Sequence, residues 1–485
     1  MKRYLLQKGK ERGQVIFMVC LLFFCFSRME SVRAQSDSLA FYLETALRNN
    51  PTVLQRYSEY QAALQKVPQV GSLPDPQLEM GIYLSPMEQI TGNRVADFKL
   101  MQMFPWFGVI KNAKDEMSLM AKAKFETFRD AKLQVGYDVQ RVWLDIYRVR
   151  HSIQLSEQNL DLLKTIERLA VAKYRSGSSG GSSSKSISTG MSSGNAPAAA
   201  PSGMNAMGGA SNNAPSRSSS SPSMGGASNA SGLADVYQLQ IEQGDVENNL
   251  VSLKNEEQAL AVRFNNLLNV SRKTAIQTPD SLSVEPLDIA YLTVNNSMFT
   301  QNPMLGMLAY EQQSLDSRSK MQRAMGLPMV GLGVNYSVLS KSTNSMTAIS
   351  SMNGQDMIMP MVTVTLPIYR KKYKAMQAET NYQKTATKQN YEATVNALQT
   401  DYAEALQSYS DAQRRMKLYE TQSQLSKKTL DIQIKTFSAS GSGLSDILRI
   451  RQQLLNYELK QLEAVTDFNK AIAWIKRLKA YSEIQ

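Results

Sequence analysis

An internal repeat covers nearly the whole chain and constrains its fold more than any other feature. RNNPTV returns as TQNPML, which puts Pro51 and Pro303 252 residues apart. GSLPDPQLEMGIYL returns as AMGLPMVGLGVNYSVL with an offset of 254 residues. Two copies of one structural unit are therefore predicted, at residues 35–285 and 286–485.

The first copy carries an insertion. The prolines of MFPWFG and LPIYR are 262 residues apart, whereas Asp235 in SGLADV and Asp446 in SGLSDIL are only 211 apart. The extra residues fall within 177–231, a segment of 55 residues with 19 serines and 10 glycines. Such a composition buries too little apolar surface to offset the entropy of ordering it. We predict a flexible loop grown from a helix–helix turn, with no helix over 202–232.

Each copy is predicted to run as short helix, strand, loop, strand, very long helix, turn and long helix. VGLGVNYSV alternates large apolar residues with glycine, asparagine and serine, and QLEMGIYL alternates in the same way. This period of two is typical of a membrane barrel strand, and equally of a half-buried strand in a soluble sheet. From Lys111 to Tyr174 the chain has no proline and one glycine, which predicts a helix of about 96 Å. Lys371 to Phe437 is similar, and helices of this length need partners along their whole course.

The N-terminus reads as a secretory signal peptide over residues 1–34, with a basic start, a short apolar run and small residues before Gln35. A retained N-terminal anchor is the alternative. Both cysteines, Cys20 and Cys25, fall inside this segment, so the mature chain is predicted to form no disulfide and no thiolate metal site. His151 is the only histidine, which removes most zinc sites and histidine-based triads. We therefore predict neither an enzyme nor a cofactor.

The charge pattern points away from nucleic acid. Without residues 1–34 the chain carries 47 basic and 40 acidic residues, spread along the predicted helices. No basic run is interleaved with aromatic residues. After residue 34 there is also no apolar run of eighteen residues. If the four predicted strands enter a membrane, several copies must share one barrel, because four strands cannot close and open edges are not tolerated in lipid.

The motifs NNP, LPDPQLEMG, MFPWFG with LPIYR, and SGLADV with SGLSDIL resemble those of the TolC family of outer-membrane efflux proteins, closest to the heavy-metal branch of CusC and CzcC. The resemblance covers about residues 37–480. It implies a mainly α protein with a small β part: a long antiparallel coiled-coil barrel, plus four strands per protomer that complete a shared twelve-stranded barrel in a homotrimer. It also implies the outer membrane of a Gram-negative bacterium, with a large periplasmic part that meets an adaptor (a membrane fusion protein) and an inner-membrane pump.

The same resemblance assigns the two glycine-containing helix turns to the periplasmic tip. It implies that Asp446 lines the constriction of the tunnel, with Asp235 at the equivalent position in the first copy. The family pattern has a second acid where this chain has Arg449. An Asp446–Arg449 lock therefore remains an alternative to an acidic ring, and a helix N-cap is a third interpretation of Asp446.

Four methionines of the insertion cannot be explained by packing, and thioethers prefer Cu(I) or Ag(I). They are only weak candidates for metal binding, since drift in a low-complexity tract is the preferred explanation: Met191, Met204, Met207 and Met224. Three further methionines, Met357, Met359 and Met361, are predicted to share one face of a strand.

The function that these features predict is a passive exit duct of a tripartite efflux system, for copper, silver or other heavy-metal ions or for small toxic molecules. An exit duct for secreted polypeptides is the alternative within the same fold. A structural or adhesive trimeric coiled-coil stalk is the alternative from another class, but a stalk would have sustained heptads and no paired strands.

Overall fold

From the helix that directly precedes the first strand onward, the two copies of the repeat have the same succession of elements. A computed structural model describes residues 38–89, 91–178, 228–271, 274–284, 286–287, 299, 301–342, 353–440 and 443–480. The first copy contains α1 (Ser38–Asn49), α2 (Pro51–Gly71), β1 (Gln77–Gln89), β2 (Gly92–Phe104), α3 (Val109–Ser178) and α4 (Ser228–Leu268). The second contains α5 (Pro303–Met325), β3 (Met329–Ser340), β4 (Met357–Thr365), α6 (Arg370–Ser440) and α7 (Leu444–Leu478). The predicted order of helix, two strands, very long helix and long helix thus occurs twice.

The repeated Asn-Pro dipeptide starts a helix in each copy. Asn50 caps α2, where its side-chain oxygen accepts a hydrogen bond from the backbone N–H of Thr52. Asn302 caps α5 in the same way through Met304. Proline follows each cap at the first helical position, where its missing N–H is no loss. One short helix before β1 was predicted, but α1 and α2 are two, because Asn50 is extended between them.

The same asparagines also tie each copy to its own C-terminal helix. The side-chain amide of Asn50 donates to the carbonyl of Leu267 at 2.8 Å, and that of Asn302 donates to the carbonyl of Leu478 at 3.1 Å. Leu267 and Leu478 are 211 residues apart, which is the offset between Asp235 and Asp446. The repeat read from the motifs is therefore also a repeat of contacts.

The two regions without helix breakers form the two longest helices, as predicted. α3 has 70 residues and α6 has 71, which corresponds to about 105 Å each at 1.5 Å per residue. Each extends a few residues beyond the predicted ranges at both ends. In the part of the chain that the structure describes, no helix is long and apolar enough to cross a bilayer.

The prediction that 202–232 contains no helix is wrong at its end. α4 already begins at Ser228, inside the sequence-defined insertion, and α3 ends at Ser178. Serine, asparagine and alanine tolerate the first turn of a helix even when they come from a low-complexity segment. The rest of the insertion, residues 179–227, lies outside the described residues.

The four strands form one antiparallel sheet in the order β1-β2-β3-β4. One line of the register joins Leu78, Leu100, Val334 and Pro360 across the sheet, and the next joins Met80, Phe98, Tyr336 and Ile358. Because side chains alternate between faces, one face is mainly apolar across all four strands, with Gln102 as a polar exception. The opposite face carries Glu79, Lys99, Asn335 and other polar or small residues, as the alternation predicts.

The chain divides into two compact units that do not follow the repeats, since each takes residues from both copies. One unit comprises residues 1–149, 257–418 and 461–485 and contains the sheet. Its core has one apolar cluster per copy, the first around Val139, Trp143 and Phe264 and the second around Tyr402, Phe468 and Ile475. The other unit comprises 150–256 and 419–460. Its buried residues include Leu163, Leu239 and Ile447.

Candidate functional site

The start of α7 holds the residues that the sequence assigns to the constriction. Gly443 precedes the helix with φ of +103°, a left-handed conformation that favours glycine. Leu444, Ile447 and Leu448 are buried and fix the first turns of the helix. The backbone N–H of Ile447 donates to the carbonyl of Gly443. The sequence SGLSDIL therefore forms a tight helix start that is anchored on one side by apolar residues.

Asp446 and Arg449 lie on the exposed side of this turn. Their side chains are 55% and 72% exposed, and Arg449 Nη2 is 3.1 Å from Asp446 Oδ1. The helix begins at Leu444, so Asp446 is inside its first turn and is not the N-cap. A carboxylate there still interacts favourably with the N-terminal end of the helix dipole. The two side chains form an exposed ion pair within this chain, and pairs of this kind contribute at most about 1 kcal/mol.

The structure says less about the other predicted site residues, Asp235 and the methionines of the insertion. Asp235 lies in α4, and its side chain is outside the described part of the structure. Its neighbour Val236 is buried, as is Ile447 at the equivalent position of α7. The insertion methionines Met191, Met204, Met207 and Met224 lie outside the described residues. Among the residues that are described, no group of three or more His, Cys, Asp or Glu side chains is arranged to hold a metal ion.

Sequence reasoning missed a charged group inside the unit that contains this turn. Arg451 Nε donates to Asn159 Oδ1 at 2.6 Å, and Asn159 is buried. Burial lowers the pKa of Arg451, and the nearby carboxylate of Glu458 opposes this effect. Burial raises the pKa of Glu458, against the effect of Arg451 and Lys427. The seven-residue spacing of Arg451 and Glu458 on one helix face was the only available signal, and it does not reveal burial.

A second missed feature is a polar cavity in the unit that contains the sheet. It has a volume of about 590 Å³ and is lined by Tyr137 and Trp474 together with charged residues of α6 and α7. Arg415 lies 3.0 Å from Asp467, and Lys470 forms an ion pair with Asp145 of α3 at 2.6 Å. Although burial opposes it, the bonds to Asp467 and Asp411 raise the pKa of Arg415. These pairs hold α3, α6 and α7 together.

Comparison with solved structures identifies the fold. The chain is similar to the outer-membrane channel OprN, with a TM-score of 0.68 and 13% identity over 92% of this chain and 90% of that one. It is similar to the outer membrane protein VceC of Vibrio cholerae, with a TM-score of 0.67 and 12% identity over 92% and 97%. For CusC the TM-score is 0.65, with 14% identity over 91% and 92%. No protein-family model and no curated protein sequence matches the chain.

The fold is therefore that of known outer-membrane channels. More particularly, the chain has the fold of the TolC-family efflux channels, which the repeated motifs predict. At 12–14% identity the likeness establishes the fold.

Proposed function

We propose that this chain is one protomer of an outer-membrane exit duct in a Gram-negative bacterium. The duct passively conducts substrates from the periplasm to the exterior and has no catalytic step. It works as the outer part of a tripartite efflux system, with a periplasmic adaptor and an inner-membrane pump. The similarity of fold to OprN, VceC and CusC supports this proposal over 91–92% of the chain.

The observation that carries the proposal is the sheet. One of its faces is apolar on every strand, and Leu78, Ile82, Ile358 and Val362 on that face are each more than 60% exposed. Large aliphatic side chains that remain exposed across a whole sheet indicate an apolar surrounding. β1 and β4 are each paired on one side only among the described residues. Lipid does not tolerate unpaired edges, so β4 of one protomer pairs with β1 of the next protomer.

A homotrimer closes this arrangement into a barrel of twelve strands, which is large enough to enclose a channel. Trp106 and Tyr369 lie directly after β2 and before α6, where interfacial aromatic residues anchor barrels at the membrane surface. The helical-hairpin turns near Asp235 and Asp446 then lie at the periplasmic end and face the adaptor. In the trimer Asp446 approaches its copies near the axis and favours the entry of cations.

Substrates are heavy-metal ions or small toxic molecules. Bilayer recording of the purified, reconstituted protein tests the duct directly, with mass photometry of the same preparation in detergent. We expect a trimer and discrete conductance steps. Monomers that conduct nothing would contradict the proposal, and a trimer without conductance would favour a structural stalk.

A further inference from the structure

The polar face of the sheet carries an unexpected set of thioethers. The register puts six of the eight methionines in the described strands on this face: Met101, Met103, Met329, Met357, Met359 and Met361. Met80 is on the apolar face, and Met87 lies beyond the register shift in β1. The prediction that Met357, Met359 and Met361 share a face is thus confirmed, and Met101 and Met103 of β2 join them.

Apolar packing does not account for this placement. Leucine, isoleucine and valine gather on the opposite face, whereas the neighbours on this one include Glu79, Lys99, Asn335 and Thr363. Lys99 Nζ is 3.1 Å from Glu79 Oε2, so charged groups lie beside the methionines. A side chain selected only for hydrophobicity belongs on the other face. Methionine differs from leucine in its polarizable sulfur, which is a ligand for soft metal ions.

Two glycines of β3 leave space between these methionines. Gly331 faces Met103, and a Cβ added to Gly331 would lie 2.6 Å from Met103 Sδ. The side chain of Met103 therefore extends over the glycine. Gly333 separates Met101 from Met361 in one line of the register, so no side chain stands between them. Two strand spacings put their backbones about 9.6 Å apart, which two flexible methionines that face each other can bridge.

We propose that Met101 and Met361 form a thioether site for soft monovalent cations, Ag(I) or Cu(I), on the polar face of the sheet. Met103 and Met359 flank this pair on opposite sides, about 16 Å apart along and across the strands, so each supplies a third ligand in turn and the two do not bind one ion together. The site uses neutral ligands, which bind soft ions selectively over Na⁺ or Mg²⁺. In the trimer proposed above, this face lines the lumen and three such sites surround it. The inference thus rests on the proposed function and narrows its substrate class to soft metal ions.

Silver binding tests the site. The full-length protein is purified in detergent and chloride-free buffer, with the four insertion methionines replaced by leucine so that they cannot contribute. Bound Ag(I) per protomer is measured by equilibrium dialysis and mass spectrometry. Replacing Met101, Met103, Met359 and Met361 by leucine keeps the volume of the side chains nearly constant. We expect this variant to lose about one Ag(I) per protomer, or to bind it at least about tenfold more weakly, since the loss of a partner outside a ligand set already costs about that much.

Met80→Leu, on the apolar face, is the matched control and should bind as much silver as the parent. A second measurement, NMR of the protein labelled with ¹³C-methyl methionine, does not need the fourfold variant. Single leucine substitutions assign the methyl resonances. Ag(I) should shift the resonances of the four site residues and should not shift that of Met80. Equal silver binding by the parent and the fourfold variant, or unshifted resonances, would overturn the inference. The binding site lies within one chain, so these outcomes stand even if bilayer recordings reject the duct.

Discussion

Asn50 and Asn302 each do two things at once. The side-chain oxygen caps a helix, and the side-chain amide holds the carbonyl at the end of a distant helix. The cap could be predicted, because asparagine before proline is a common helix start. The bond to Leu267 or Leu478 could not, since it depends on how helices more than 170 residues apart in sequence pack together.

Asn302→Ala should lower the free energy of unfolding by about 2 kcal/mol, because it removes the cap and leaves a buried carbonyl without a donor. Asn302→Ser is the matched control. Its hydroxyl can still accept a hydrogen bond from the N–H of Met304 but is too short to reach the carbonyl of Leu478, so its loss should fall between the parent and the alanine variant. Urea unfolding followed by helical circular dichroism measures both. Equal losses for the two variants would show that the cap contributes nothing.

Substitutions at Asp446 and Arg449 can distinguish an acidic ring around the tunnel axis from a structural Asp446–Arg449 pair. If three copies of Asp446 surround the axis, Asp446→Asn should lower the preference for cations and weaken block by trivalent cations, since part of the attracting charge is lost. Arg449→Asp adds acids at the same turn and should change cation selectivity in the opposite direction. Reversal potentials in a salt gradient across a bilayer measure both variants. If neither substitution moves the reversal potential, Asp446 has only a local role at the start of α7.

At the scale of elements, most of the architecture could be predicted from the sequence. The absence of proline over Lys111–Tyr174 predicted α3, and alternation predicted which residues of β1 and β3 share a face. Boundaries were less certain. α4 begins at Ser228, because serine and alanine do not oppose helix formation once the neighbouring residues pack. The thioether site was missed for a different reason: its residues come from two strands, and only the register brings Met101 into line with Met361.

The insertion can be replaced by the turn that the second copy uses. Between α6 and α7 only Gly441, Ser442 and Gly443 remain, so residues 179–227 are replaced by Gly-Ser-Gly. We expect this variant to form the same oligomer with unchanged conductance. Shortening the loop should also stabilise the fold by up to about 2 kcal/mol, because less chain entropy is lost on closure. Mass photometry and thermal unfolding provide the measurements. Failure to assemble would mean that the insertion contributes contacts that the second copy does not need.

At the scale of the whole molecule, the sequence repeats and the compact units divide the chain differently. The repeats are two similar halves of the sequence, whereas each compact unit is a set of helix segments that pack together. Motif spacing predicts the repeats. It carries no information on the compact units, because a helix of 70 residues can belong to both units without any change of composition. Assembly of several protomers likewise depends on the edges of the sheet, β1 and β4, and motif spacing carries no information on how those edges pair.

β4 of one protomer is expected to pair with β1 of the next. Leu78→Cys in β1 and Val362→Cys in β4 provide the test, since residues 35–485 contain no other cysteine. Within one chain three strand spacings separate β1 from β4 by about 14 Å, whereas paired edges of two chains are about 4.8 Å apart. A bismaleimide shorter than about 10 Å should therefore link the double variant into covalent dimers and trimers on denaturing gels. Each single variant is the control and should remain monomeric. If this double variant remains monomeric, and so do Met80→Cys and Ile82→Cys when each is combined with Val362→Cys, the two edges do not meet in any nearby register.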